Sequence, residues 1–100
     1  MGKLITVFWR DIPSHIIFKK KSGKFKKQMS PRFEKAIDRA AMRAGKGSSD
    51  AYMADWRREI VKIKTDDPQS IVDQEIELLE QMFSDDLLEK TVKSKGIKEE

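Results

Sequence analysis

The sequence contains no cysteine and only one histidine among its 100 residues. Without cysteine the chain can form no disulfide and no thiolate nucleophile, which suits a reducing compartment. The lone histidine, His15, leaves too few ligands for a zinc site, since such sites are built mainly from several cysteine and histidine side chains. These absences exclude a disulfide-stapled domain and argue against a zinc domain.

Long apolar runs are lacking as well. No stretch approaches the roughly 18 consecutive apolar residues that a membrane-spanning helix requires. The N-terminal MGKLITVFWRD has only a short apolar run, and no small-residue cleavage site follows it, so it does not resemble a signal peptide. We therefore expect a cytoplasmic protein without a membrane partner. The length of the chain predicts a single α+β domain over residues 1–96, followed by a frayed tail at residues 97–100.

Charge is abundant and unevenly distributed along the chain. The net charge is +4, from 21 Lys and Arg against 17 Asp and Glu. Residues 1–47 carry 13 basic and three acidic side chains, whereas residues 48–100 carry eight basic and 14 acidic ones. Either the basic half attracts an anionic partner, or the two halves neutralise each other within the fold. The sequence leaves both interpretations open.

Apolar and β-branched runs in the first 29 residues predict three strands. They cover Leu4–Trp9, His15–Lys20 and Lys24–Met29. The first strand is apolar on both faces and is therefore expected at the centre of a sheet. The third alternates lysine with Phe25, which is typical of an edge strand.

The rest of the chain is predicted to be mainly helical. Ser30 and Pro31 indicate a helix start, and Gly45 indicates its end. Further elements are expected in the order short helix, strand and helix, with a last helical segment after Ser84: Asp50–Trp56, Arg57–Lys64 and the segment that begins at Pro68. The order β-β-β-α-α-β-α predicts an α+β fold, a small, mostly antiparallel sheet with helices packed on one face.

Groups that could perform catalysis are few. The sequence contains no GxGxxG, GxxxxGK[ST], GxSxG or HExxH motif. The pairs Asp66-Asp67 and Asp85-Asp86 could hold Mg²⁺, but each stands at a predicted helix start, where acidic residues are expected for capping and for the helix dipole. A single histidine beside apolar residues is more often structural than catalytic. We therefore predict no enzymatic activity, no catalytic residue, no metal and no cofactor.

A dense basic segment covers residues 19–27. Six lysines and one aromatic residue compose it: Lys19, Lys20, Lys21, Lys24, Phe25, Lys26 and Lys27. One interpretation is a solvated turn with lysines that protect an edge strand. The alternative is a patch that contacts phosphates without sequence preference, with Phe25 as a stacking surface. An acidic protein or cofactor is a third candidate ligand for it.

Aromatic and arginine residues occur together twice. Trp9-Arg10 ends the first predicted strand, and Trp56-Arg57-Arg58 follows the short predicted helix. If these two segments lie close together, their arginines would form an anion-binding face beside aromatic surface. The simpler interpretation is a salt-bridged corner.

Three sequence blocks resemble a small bacterial virulence factor domain family. They are VFWRDIPSHI, SPRFEKAIDRAAMRAG and DAYMADWRRE, and the similarity covers roughly residues 4–58. Members of that family occur as stand-alone proteins of about this length and as a module of a larger conserved virulence factor. Stand-alone members resemble accessory proteins linked with one-carbon or corrinoid methyl transfer. The resemblance supplies no catalytic residue and no cofactor.

These observations favour a non-enzymatic interaction module that docks on a larger protein. The residues expected at or beneath the docking face combine both Trp-Arg segments with their neighbours: Trp9, Arg10, Asp11, Tyr52, Trp56, Arg57 and Arg58. The alternative is a non-specific RNA- or DNA-binding protein that uses the basic hairpin 19–27.

Overall fold

The computed structural model describes residues 2–45 and 53–97, and these ranges contain four strands and three helices of nine or more residues. We number them along the chain as β1 (Gly2–Trp9), β2 (Ile12–Lys20), β3 (Gly23–Gln28), α1 (Pro31–Arg43), β4 (Trp56–Ile63), α2 (Pro68–Met82) and α3 (Asp85–Lys93). The predicted α+β class is confirmed. The order of elements differs at two points, described next.

The predicted helix Asp50–Trp56 is only partly within the described residues. Positions 50–52 lie outside them, Met53 and Ala54 are helical, and Trp56 is the first residue of β4 rather than the last of a helix. Trp56 pairs with Trp9 of β1, so pairing across the sheet decides the conformation that local spacing had suggested to be helical. At the C-terminus, Ser84 separates two helices.

The four strands form one antiparallel sheet in the order β3-β2-β1-β4. The prediction that the first strand is central is confirmed, and so is the edge position of β3. β2 begins at Ile12 instead of the predicted His15. Pro13 has no backbone N–H to donate, but β3 pairs with β2 only from His15 onward, so Pro13 leaves no bond to β3 unmade. A bulge accommodates Ser14, since Val7 pairs with His15 and Phe8 with Pro13.

The helices pack on one face of the sheet. Leu4, Ile16 and Phe18 project from that face and join a core with residues of all three helices, including Phe33 and Val72. α2 lies against β2 and β3, α1 lies against β2, and α3 packs on α1. The neighbouring side chains on each strand alternate to the other side of the sheet, which we call the open face.

At the start of each helix a polar side chain accepts a hydrogen bond from one backbone N–H, but at α1 this side chain is not the predicted one. Ser30 precedes α1 as expected, yet its hydroxyl makes no capping bond. Instead the Glu80 carboxylate of α2 accepts from the Ser30 backbone N–H at 2.9 Å and from the Ser30 hydroxyl at 3.0 Å. Asp67 and Ser84 cap α2 and α3 through their own side chains.

Ion pairs connect the basic first half of the chain to the acidic second half. They are Lys27–Asp73 at 2.8 Å, Arg32–Glu80 and Arg32–Asp85 at 3.0 Å, and Arg39–Glu89 at 2.7 Å. On the helix side of the sheet, therefore, the two halves neutralise each other. No helix within the described residues is long and apolar enough to cross a membrane.

Candidate functional site

The Arg10-Asp11 turn between β1 and β2 is fixed by backbone bonds to two distant segments. Arg10 has a positive φ of 53° and donates its N–H to the Asp55 carbonyl at 3.0 Å. Asp11 donates its N–H to the Gly96 carbonyl at 2.9 Å. The Arg10 side chain pairs with the Asp55 carboxylate at 3.3 Å and donates to the Lys95 carbonyl at 2.8 Å. The turn thus joins the start of β4 to the end of α3.

Arg57 completes this corner from β4. Its Nε donates to the Arg10 carbonyl at 2.7 Å, and its two terminal nitrogens contact Asp11 at 3.3 Å and Glu59 at 3.0 Å. The guanidinium carbon lies 4.3 Å from the centre of the Phe8 ring, which adds a cation–π contact. Its donors are directed at groups of the same molecule, so Arg57 stabilises the corner.

Trp9 forms the floor of the corner and is fully enclosed, with no exposed surface. Its ring packs against Gly96, where an added Cβ would lie 2.7 Å from the indole. The Arg10 guanidinium lies 5.2 Å from the ring centre. Trp9 can therefore support a docking face from beneath but cannot itself touch a partner.

The structure separates the predicted docking residues. The predicted approach of the first strand to residues 56–58 is observed, and it brings five of these residues together at the corner: Trp9, Arg10, Asp11, Trp56 and Arg57. Arg58 lies on the open face, because it pairs with Val7 and alternates with Arg57. The three arginines do not share one anion-binding face, and the corner is salt-bridged. Tyr52 lies outside the described residues.

The basic hairpin is divided between the two faces of the sheet. Lys27 bonds Asp73 of α2, and the Lys20 ammonium lies 5.7 Å from the Phe25 ring, which faces Phe18 across the strands. These side chains are therefore on the helix side. The lysines at 19, 24 and 26 project from the open face, and Lys21 lies in the turn. Phe25 thus offers no stacking surface beside the open-face lysines.

Strand register assembles a different basic surface, which sequence reasoning missed. Lys3 pairs with Lys19 and with Lys62, and Lys19 pairs with Lys24, so one lysine from each strand lies in a single row across the open face. Lys3 and Lys62 were not predicted as site residues, since they are 59 positions apart and neither belongs to a basic run. Only the pairing register could have identified them.

A groove of about 710 Å³ lies on the open face two rows away from the lysine row, at Val7, His15 and Arg58. Val7, His15, Met53, Trp56 and Arg58 contribute to its walls, together with Arg57. Burial lowers the pKa of His15, and the nearby charges of Lys26 and Arg58 lower it further. His15 also lies 3.1 Å from the Ser14 hydroxyl. The imidazole is therefore neutral at pH 7 and forms part of the sheet surface.

Strand β4 is exposed on both faces. Ile60 and Val61, which point in opposite directions, are each 56% exposed. Its described contacts are chiefly with β1, because α2 lies over β2 and β3. Two exposed apolar side chains on one edge strand mark this edge of the sheet as a candidate contact surface.

One acid of each acidic pair has a structural role at a helix start. Asp67 accepts from the Ser70 N–H at 3.2 Å as the cap of α2, and Asp85 pairs with Arg32. Within residues 2–45 and 53–97, His, Asp and Glu side chains form no group of three that could hold a metal ion. The observed positions of Asp67 and Asp85 agree with the prediction that these acids serve helix starts.

Comparison with known proteins places the chain in a family. A family model described as "Virulence factor" matches residues 7–92. The resemblance read from residues 4–58 is confirmed, and the match continues through α2 and most of α3. No match is found among curated proteins or among solved structures. The chain belongs to the virulence factor domain family.

Proposed function

We propose that this domain is a non-enzymatic interaction module that docks on a larger protein along β4. The observation that supports the proposal is the exposure of this strand on both faces, with Ile60 on one side and Val61 on the other. Apolar side chains at these positions gain free energy when a partner removes them from water, at about 25 cal/mol per Å² buried.

The outer edge of β4 supports the same proposal. The strand is eight residues long and has β1 on one side, with no second strand neighbour in the described sheet. An unpaired edge presents backbone N–H and C=O groups that an extended segment of a partner can pair with. The salt-bridged Arg10-Asp11 corner holds one end of this edge in place, because Arg57 is tied to the Arg10 carbonyl.

The non-enzymatic part of the proposal rests on the roles of the residues that could act as acids or bases. His15 is a residue of β2 that pairs with Val7 and Gln28 and contacts the Ser14 hydroxyl, Asp67 caps a helix and Asp85 is ion-paired. A partner from one-carbon or corrinoid methyl-transfer systems is the first to test, since stand-alone members of the family resemble accessory proteins of such systems.

Position-specific photo-crosslinking tests the docking surface. A photoreactive amino acid is placed at Ile60 or Val61 in the tagged full chain, expressed in a bacterium that encodes a stand-alone family member. Matched controls carry it at Leu78 on α2 or Met42 on α1, which are also exposed. We expect a discrete adduct from β4 and none from the helices. An adduct confined to the helix positions, or none at all, would overturn the proposal.

A second measurement separates docking from the role of the corner. Arg57→Ala and Arg10→Ala are compared with the wild-type chain in the same experiment. Unchanged adducts would show that the corner is only structural, while a loss of adducts with a folded variant would extend the docking surface to it.

A further inference from the structure

We propose that the open face of the sheet binds the phosphate backbone of single-stranded nucleic acid, through the row Lys62–Lys3–Lys19–Lys24. This inference does not require docking along β4, although β4 supplies Lys62 to the row and Ile60 and Arg58 to the same face. It also differs from binding by the basic hairpin, because two of its four lysines, Lys3 and Lys62, come from β1 and β4.

The geometry of the row follows from the register. Residues paired directly across antiparallel strands project from the same face, and neighbouring strands are about 4.8 Å apart. Four lysines in a row therefore span roughly 14 Å across the whole sheet. All four are exposed, and their flexible side chains can follow a line of phosphates.

Two further rows extend the positive surface. The next row is Ile60–Ile5–Ile17–Lys26, and the third is Arg58–Val7–His15–Gln28. The three rows together contain six Lys and Arg side chains and no acid. Because like charges on adjacent strands repel, such a surface is electrostatically costly unless an anion occupies it.

The two sides of the sheet contrast sharply in how their cations are used. On the helix side, Lys27, Arg32 and Arg39 are each paired with an acid of α2 or α3. Within the described part of the chain, none of the six open-face cations forms an ion pair. The acidic half thus supplies ion pairs to cations on the helix side and, within the described residues, none to the six cations of the open face.

The composition of the surface favours nucleic acid over an acidic protein. Protein–protein interfaces are depleted in lysine and enriched in aromatic residues, whereas non-specific nucleic-acid binding depends on lysine and arginine that neutralise phosphates. Ile5 and Val7, at the centre of this face, are themselves buried and offer a partner protein little new area, and the exposed Ile60 lies only at its margin on β4. The open face of a sheet also accepts an extended nucleic-acid strand laid across it.

Fluorescence anisotropy with a labelled 20-nucleotide oligouridylate tests the proposal. We expect binding at 50 mM salt that weakens steeply with added salt. Four phosphate contacts predict a slope of about −2.8 in log K against log [salt], hence a loss of about 50-fold between 50 and 200 mM. Failure to bind at 50 mM salt would overturn the inference.

Paired substitutions identify the surface. Lys3→Ala with Lys62→Ala should reduce the size of the salt slope by about 1.4, since each lost phosphate contact contributes about 0.7. The control Lys35→Ala with Lys93→Ala removes the same charge from exposed helix positions and should leave the slope unchanged. A circular dichroism melt confirms that both double variants are folded.

Two outcomes would contradict the proposal that the lysine row binds the oligonucleotide. Equal losses in the row and control variants would show a general charge effect, and a loss confined to Lys20→Ala with Lys21→Ala would place binding on the hairpin instead. Poly-glutamate and vesicles with anionic lipid are measured in parallel. Binding to either of these without binding to the oligonucleotide would also overturn the inference and identify a different class of anion.

Discussion

The Nε of Arg57 donates a hydrogen bond to the carbonyl oxygen of Arg10 at 2.7 Å. This contact joins β4 to the turn between β1 and β2, at a point where the backbone of Arg10 has a positive φ. Outside glycine, such a conformation is uncommon and costs free energy, so it persists when surrounding bonds hold it. The conformation of the corner therefore depends on tertiary contacts and not on the turn residues alone.

Arg57→Ala should lower the free energy of unfolding by about 1 kcal/mol, since it removes a charge-assisted bond from a partly exposed side chain. Arg58→Ala is the matched control, because the next residue points to the open face and makes no ion pair among the described residues. Urea unfolding monitored by tryptophan fluorescence measures both. Equal effects would contradict the structural role of Arg57.

Gly96→Ala should destabilise the protein by at least about 2 kcal/mol. Gly96 has a φ of +90°, and its missing side chain makes room for the Trp9 ring at 2.7 Å from the position of an added Cβ. Gly45→Ala provides the control, since Gly45 has a φ of +70° with open space around it. The difference between the two melting temperatures isolates the contact with Trp9, and equal shifts would rule that contact out as a source of stability.

Glu80→Gln should cost about 1–2 kcal/mol at pH 7, because the carboxylate bonds Ser30 and Arg32 at the start of α1. Burial alone would raise the pKa of Glu80, but these bonds outweigh it and the pKa lies below its ordinary value of 4.5. The contribution is thus fully present above pH 4.5 and disappears as the pH falls through the lower, folded-state pKa.

Unfolding of the Glu80→Gln variant across pH 3–7 checks this expectation. The destabilisation should shrink as the pH falls below 4.5 and through the lower, folded-state pKa, because Glu80 then loses its charge in the wild type too. Glu77→Gln, an equal change of charge on an exposed part of α2, should have little effect at any pH. A constant difference between the Glu80 variant and the wild type over the whole range would contradict the role of the charge.

His15 should titrate below 6.5 in the folded protein, as burial and the charges of Lys26 and Arg58 lower its pKa. NMR titration of the imidazole should show this pKa rising when either Lys26→Ala or Arg58→Ala is introduced. Lys20→Ala, on the helix side, should leave it unchanged. Because the unfolded chain takes up this proton first, His15 makes stability decrease as the pH falls from 7 through 6.5. If the pKa of His15 does not respond to Arg58→Ala, the placement of the Arg58 and His15 side chains together on the open face is contradicted.

Much of the fold could be predicted from local patterns. The apolar run at Leu4–Trp9 indicated a central strand, lysines around Phe25 indicated an edge, and Ser30-Pro31 indicated where α1 begins. The conformation of Trp56 could not be predicted in this way, since its spacing from Tyr52 suits a helix and only pairing with Trp9 makes it a strand residue. Local spacing carries no information about a partner that is 47 residues away.

The candidate site was less predictable than the fold. The repeated Trp-Arg dipeptide correctly pointed to segments that meet, because aromatic and arginine side chains often pack together. It did not reveal that Arg57 and Arg58 are directed to opposite sides of the sheet. The basic run at 19–27 suggested one patch, but alternation divides it, and Lys27 is bound by an acid 46 positions away.

The lysine row depends on register and not on any continuous stretch of sequence. Inserting one residue into the middle of β1 would leave the amino-acid composition almost unchanged, yet it would exchange the two faces for part of that strand. Lys3 would then point toward the helices while the net charge and isoelectric point stayed the same. Variation among natural homologues should therefore tolerate exchanges of lysine for arginine in this row more readily than single-residue insertions or deletions within the strands that carry it.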